Sequence, residues 1–244
     1  MTSFQASRLS AAFLLITTTL GCGPKEAPLE AVIGINSLTA RQASLLVSNA
    51  PAATWDVGFI KSISPEDAEI FSEQPGGFLP LLNLVSLTAE TAEILATFRG
   101  ALLLDGLPEC SAEVAQKLSE HKGLLSLGGL TSLDLKTASA LGNHDGDLYL
   151  NGLTSLDTEA AAFLADQNGM LSANSLATVS LPTLRALCQR KSPTSLGGVL
   201  ELNVKQAKAL QSAAGLFFLS GIRSLPASAR NQLKNNKNIF LGLE

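Results

Sequence analysis

Two histidines, His121 and His144, are the only imidazoles in 244 residues, and they stand 23 positions apart. Each has a carboxylate beside it, Glu120 and Asp145. Two imidazoles with a carboxylate form a donor set that can hold a divalent metal. Calcium is the second chemistry to weigh, because Asn143-His144-Asp145-Gly146-Asp147 opens like a calcium loop. Its spacing then fails: Leu148 stands where a glycine is needed and Thr154 where a bidentate glutamate belongs. The segment reads as a turn. Ser119-Glu120-His121-Lys122 has the S-x-x-K spacing of a serine acylase, without the companion motifs of that chemistry. No G-x-S-x-G, phosphate-binding loop, dinucleotide fingerprint or H-E-x-x-H occurs. No catalytic residue and no cofactor is expected; a metal-dependent enzyme built on His121 and His144 with Glu120 or Asp145 is a further alternative.

The 23-residue spacing of the histidines belongs to a wider pattern. The motif L-x-L-x-G-L-x-S-L-[S/T/D]-x-x-x-A-x-x-L recurs about nine times, with its anchor at Ile35, Ile60, Leu84, Leu107, Leu130, Leu153, Leu176, Val199 and Ile222. A fixed period of this size marks an array of stacked units, each too small to bury its own apolar face. In the unit from Leu148 to Leu164, Leu148 and Leu150 alternate with Tyr149 and Asn151, the period-two mark of a short half-buried strand. Gly152 permits a tight bend out of that strand. A capping column follows: Thr39, Ser64, Thr88, Ser111, Asp134, Asp157, Ser180 and Asn203 can each accept the unpaired amides of a first helical turn, and only Pro226 cannot. Glu66, Glu90, Glu113 and Glu159 sit two residues later, favourable beside the positive end of a helix. Within the helices, Ala43, Ala68, Ala92, Ala115, Ala138, Ala161 and Ala207 share one inward column. A large apolar residue fills the next, from Leu46 and Phe71 through Leu164 to Leu233.

The L-x-L strand and turn at positions 148 to 156 resemble the leucine-rich repeats, in a short bacterial form of about 23 residues, and the likeness runs from residue 30 to 244. It implies an α/β fold: a right-handed solenoid of about nine repeats, with a parallel sheet on the inner face and short helices on the outer face. One departure is that the asparagine laddering through the turn of that family has no constant counterpart. Glu30 and Arg230 replace apolar residues at the two ends, as caps do. The final segment, Ile239-Phe240-Leu241-Gly242-Leu243, reads as a terminal strand whose open edge can pair with another molecule; a self-associating structural protein is therefore an alternative role.

The outward face of the sheet is the surface on which such solenoids bind partners. Its columns run through Asp56, Leu103, Tyr149 and Phe218, and, alternating, through Asp105, Asn151 and Asn174. These seven residues are the candidate contacts for a protein or a surface glycan; an inert face is the competing reading. His121 and His144 occupy one repeat position in adjacent layers, so they should be neighbours on one surface, with Gln167 next. The same stacking separates Cys110 and Cys188 by three layers, about 14 Å at roughly 4.8 Å each. That is too far for a disulfide, which needs Cα atoms within about 7 Å. Both read as small buried hydrophobes.

Residues 1–21 read as an export signal, with Arg8 before the apolar run Leu9 to Ile16. Thr19-Leu20-Gly21-Cys22 resembles a bacterial lipobox, with Thr19 where Leu is usual, and makes Cys22 the expected lipidation site. Residues 22–29 are then anchor and linker. The expected address is the cell envelope, outer-membrane anchored, with a secreted or periplasmic protein as the alternative. Membrane contact would run only through the lipid. The net charge of −4 and the lack of a basic run offer nothing to a phosphate backbone, so no nucleic-acid partner is expected.

Overall fold

The computed structural model describes residue 57, residues 60–233 and residues 236–242. The export signal, Cys22, Asp56 and the first repeat around Ile35 lie outside the described residues. Strands and short helices alternate: α1 (Pro65–Ser72), β1 (Phe78–Pro80), α2 (Ala89–Ala96), β2 (Ala101–Leu103), α3 (Ala112–Leu118), β3 (Leu125–Ser126), α4 (Leu135–Leu141) and β4 (Leu148–Tyr149). The second half repeats them: α5 (Thr158–Ala165), β5 (Leu171–Ser172), α6 (Leu181–Leu187), β6 (Thr194–Ser195), α7 (Val204–Leu210), β7 (Phe217–Leu219), α8 (Ala227–Leu233) and β8 (Ile239–Leu241). The eight strands form one parallel sheet in chain order. Register advances by one period per strand, Leu102 facing Leu125, then Leu148, then Leu171. This is an α/β solenoid, the architecture that the leucine-rich-repeat likeness implies.

The strands are short because each repeat needs only two or three ladder residues before the chain turns toward its helix. Leu148, Leu150, Leu153 and Leu164 of one repeat are all fully buried, as are the equivalent leucines of the repeats before it. Each such side chain contributes up to about 1.5–3 kcal/mol. The core is one cluster running the length of the array from Val57 to Ile239. The alanine column, from Ala68 to Ala207, has no exposed surface, so each helix sits close to its sheet.

Six helices carry the expected side-chain cap, on Ser64, Thr88, Ser111, Asp134, Ser180 and Asn203. Asp157 stands at the same place and makes no cap hydrogen bond. The residue three positions after the cap adds an inter-repeat tie: Thr137 and Thr183 hydroxyls and the Gln206 amide donate to the carbonyls of Cys110, Leu156 and Val179 in the preceding repeat. Gly152 serves a different need from the one its sequence implied. Among the described glycines only Gly77 and Gly169 have positive φ. A Cβ on Gly152 would instead collide with the Gly128 carbonyl and lie 2.8 Å from that of Leu130, so the glycine is needed for close stacking of turns.

Candidate functional site

Strand alternation places the residues flanking each buried leucine on the open face of the sheet. Three columns result. Leu103, Tyr149 and Phe218 are half-buried in the middle column, where Ser126, Ser172 and Ser195 are buried. The third column holds Asp105, Asn151 and Asn174, and these three are bonded along the sheet. Asp105 Oδ1 accepts from Ser126 Oγ at 2.5 Å and the Gly128 amide at 2.7 Å. Asn151 Oδ1 accepts from Ser172 Oγ at 2.7 Å and the Asn174 amide at 3.1 Å. Asn174 Oδ1 accepts from Ser195 Oγ at 2.8 Å and the Gly197 amide at 2.7 Å, while its Nδ2 donates to Ser172 Oγ at 2.9 Å. These bonds form a discontinuous polar ladder along the open face, interrupted at Gly128. In three of the seven candidate contacts the side-chain Oδ1 is thus engaged with the next repeat.

The first column was not read from the sequence. It starts at Phe78, 58% exposed, and includes Leu216, 37% exposed. Leu82 in the third column and Phe240 in the second are also exposed. Phe240 stacks on Phe218 with ring centres 5.1 Å apart and planes 18° from parallel. The signal was available in the sequence: the residue before each L-x-L must face outward by the same alternation. The open face thus has its exposed large apolar side chains at its two ends, with hydrogen-bonded Asp, Asn and Ser and the half-buried Leu103 and Tyr149 between them.

The histidines are adjacent, as the repeat required, but they are not on a surface. His121 and His144 are buried, their rings parallel within 7° and 6.2 Å apart. They belong to an internal column with Phe98, Gln167 and Arg190, all buried beneath the helix-to-strand loops. The column feeds donors to backbone carbonyls of helix ends, Ala96 and Leu164, and of the loops that follow, Gly123, Gly146 and Gly169. His121 Nδ1 lies 3.3 Å from the Ala96 carbonyl and His144 Nε2 3.1 Å from that of Gly123. Gln167 donates to Gly146 at 2.5 Å. Arg190 donates to the carbonyls of Leu164 and Gly169, to Gln167 Oε1 and to Thr194 Oγ1. Burial pushes its guanidinium down to about 10. Glu120 and Asp145, the carboxylates considered beside the histidines, are exposed. Among the described residues no group of three or more His, Cys, Asp or Glu side chains is disposed to hold a metal.

The other sequence candidates are also accounted for locally. Ser119 Oγ donates to Gln116 at the end of its own helix, at 2.7 Å, and Lys122 is exposed. Asn143 donates to Ser139, and Asp147 accepts from the Met170 amide at 2.8 Å, so the calcium-like stretch is a bonded turn. Cys110 and Cys188 are free thiols, half-buried and buried, and desolvation pushes both up to about 11.

No protein-family model matches the sequence, and no curated protein matches it. Among solved structures, a crystal structure of a TLR13–ssRNA13 complex is similar over 73% of this chain and 34% of that one, at 16% identity and a TM-score of 0.37. The chain thus spans about a third of the length of that protein.

Proposed function

We propose that this chain is an exported repeat protein, held at the cell envelope by a lipid on Cys22, which binds another protein across the open face of its sheet. The observation that carries the binding reading is the distribution of apolar side chains on that face. Phe78 and Leu82 are exposed at one end, and Leu216 and Phe240 at the other. Isolated exposed hydrophobes need no partner, but groups clustered at each end of one face favour an apolar ligand. The Oδ1 atoms of Asp105, Asn151 and Asn174 and the hydroxyls of Ser126, Ser172 and Ser195 between them are engaged in the sheet ladder, which favours a protein segment over the dense hydroxyl pattern of a glycan. Seven strand steps of about 4.8 Å put the two ends roughly 34 Å apart, a span that about ten extended residues cover. The lipid reading is supported by the apolar run and the Cys22 motif; among the described residues no helix is long and apolar enough to cross a membrane.

The test uses the native full chain as bait in an envelope extract, alongside a Phe78→Ser/Phe240→Ser variant. A retained protein that the variant loses supports the reading. Retention of the same proteins by both forms, or of none by either, sinks it. Mass spectrometry of the native N-terminus decides the anchor: an unmodified Cys22 removes that part.

A further inference from the structure

We propose that the stacked pair His121–His144 is a proton-sensitive joint, through which mild acid loosens the array between α2 and β4. The inference is independent of the binding reading. It starts from the hydrogen bonds. A carbonyl only accepts, so the ring nitrogen facing it carries the proton: Nδ1 in His121, toward Ala96, and Nε2 in His144, toward Gly123. The other nitrogen of each ring, Nε2 of His121 and Nδ1 of His144, is buried without a hydrogen-bond partner. A neutral imidazole tolerates this, because the bare lone pair costs little. An imidazolium carries a second N–H there, buried and out of hydrogen-bonding geometry with the further backbone groups nearby (Gly100 and Leu124 for His121, Ser119 and Asp147 for His144), beside a parallel ring 6.2 Å away that cannot also charge without repulsion.

The surroundings do not offset the charge. The titratable side chains on the adjoining loops are Arg99, Glu120, Lys122, Asp145 and Asp147. Those on the helices are Glu90 and Glu93 of α2, Glu113 and Lys117 of α3, and Lys136 of α4. Along the column, uncharged Gln167 separates His144 from buried Arg190. The only charge that bears on His144 is His121, and no side-chain charge bears on His121. Burial holds both rings below the ordinary histidine range; for His144 the second influence is His121, and backbone carbonyls oppose the shift without reversing it. Protons have a short way in. The unpaired Nε2 of His121 lies 2.8 Å from where a Cβ on Gly123 would stand, and Gly123 helps to line an open groove of about 670 Å³ with Gly100, Glu120 and Lys122.

The direction follows from linkage. The folded rings are depressed, so the unfolded chain binds more protons below its own histidine value of about 6.5. The contribution is complete above that pH and is lost as pH falls through it toward the lower folded values. Over that window each histidine raises the unfolded-to-folded ratio by up to about tenfold per pH unit.

The column supplies its own controls, since Phe98 and Gln167 occupy the neighbouring layers. Urea unfolding of the full chain from pH 7.5 to 5.5 is expected to show a falling midpoint. The double variant His121→Phe/His144→Gln should be nearly flat. Equal pH dependence in both proteins, or a flat wild type, overturns the proposal. A direct reading needs no variant, because the chain has only two histidines and their ring C2 protons give two resonances. Folded-state midpoints below 6.5 for both support the joint; either one at or above 6.5 overturns it. Hydrogen exchange at pH 5.5 locates the effect: acceleration concentrated between residues 96 and 149 supports it, and uniform acceleration overturns the claim of a joint.

Discussion

Asp134 and Asp157 occupy one column, one residue before their helices, yet they differ in what they do. Asp134 accepts from the Lys136 and Thr137 amides at 2.8 and 3.0 Å and from the Thr137 hydroxyl at 2.7 Å. Asp157 makes no cap bond, and Thr158 beside it engages Thr183 of the next repeat instead. Asp134→Ala should therefore cost about 1 kcal/mol, the usual value of a helix cap. Asp157→Ala should lie within about 0.5 kcal/mol of wild type. Paired urea titrations check this, and equal losses at both sites would mean that column position alone sets the contribution. Bonds to the Thr137 amide, then its hydroxyl, hold the Asp134 carboxyl below the usual range. Its stabilising effect is present above the unfolded value of about 3.9 and disappears as pH falls below that. The cap thus acts in a window well under the one in which the histidines titrate.

At the scale of strand, turn and helix, what the sequence made legible was whatever each layer repeats in kind. The alanine column and the Leu or Phe column recur because the same steric gap recurs between helix and sheet, so residue type identified the buried side directly. The polar ladder of the open face escaped because its column changes identity, through Leu82, Asp105, Gly128, Asn151, Asn174, Gly197 and Ser220. Its partners are backbone amides one repeat later, which no side-chain pattern reveals. The histidines and Gln167 read as surface residues; only the loop carbonyls of the preceding repeat make a buried site for them. Arg190 shows how local this is. The repeat that buries a guanidinium is also the one whose strand carries Thr194, an acceptor for Nε, in a column otherwise filled by Leu, Phe or Ile. Gly152 tests the stacking of turns. An added methyl meets the Gly128 and Leu130 carbonyls of the turn beneath. Gly152→Ala should cost about 1–3 kcal/mol, as overpacking does, read as a drop in the unfolding midpoint. Asn83 and Ser175 hold the equivalent position in other repeats. A neutral Gly152→Ala would therefore mean that the turns shift apart as easily there.

Across the whole molecule, every strand pairs only with its neighbours in sequence, and the helices meet in consecutive pairs from α1·α2 to α7·α8. Stability is then close to a sum of repeat and interface contributions, carried among the described residues by contacts between neighbouring repeats. The same geometry keeps the two apolar ends of the sheet face apart by a distance set only by the number of layers between them. Removing residues 102–124 tests both consequences, because Leu102 and Leu125 are register partners and the cut therefore joins Ala101 to Leu125 in phase. The loop carbonyl of Gly100 then takes the place of Gly123 under His144. The shortened chain should still unfold cooperatively, with a denaturant slope lower by about a tenth, since that slope follows the surface exposed on unfolding. Loss of a cooperative transition would show that long-range order, not neighbour contact, holds the array. The deletion also brings the Phe78 and Phe240 ends closer by one layer, about 4.8 Å. A partner that bridges both ends should bind the shortened protein more weakly than one seated at a single end, and comparing capture of the same partner by the two proteins separates these geometries.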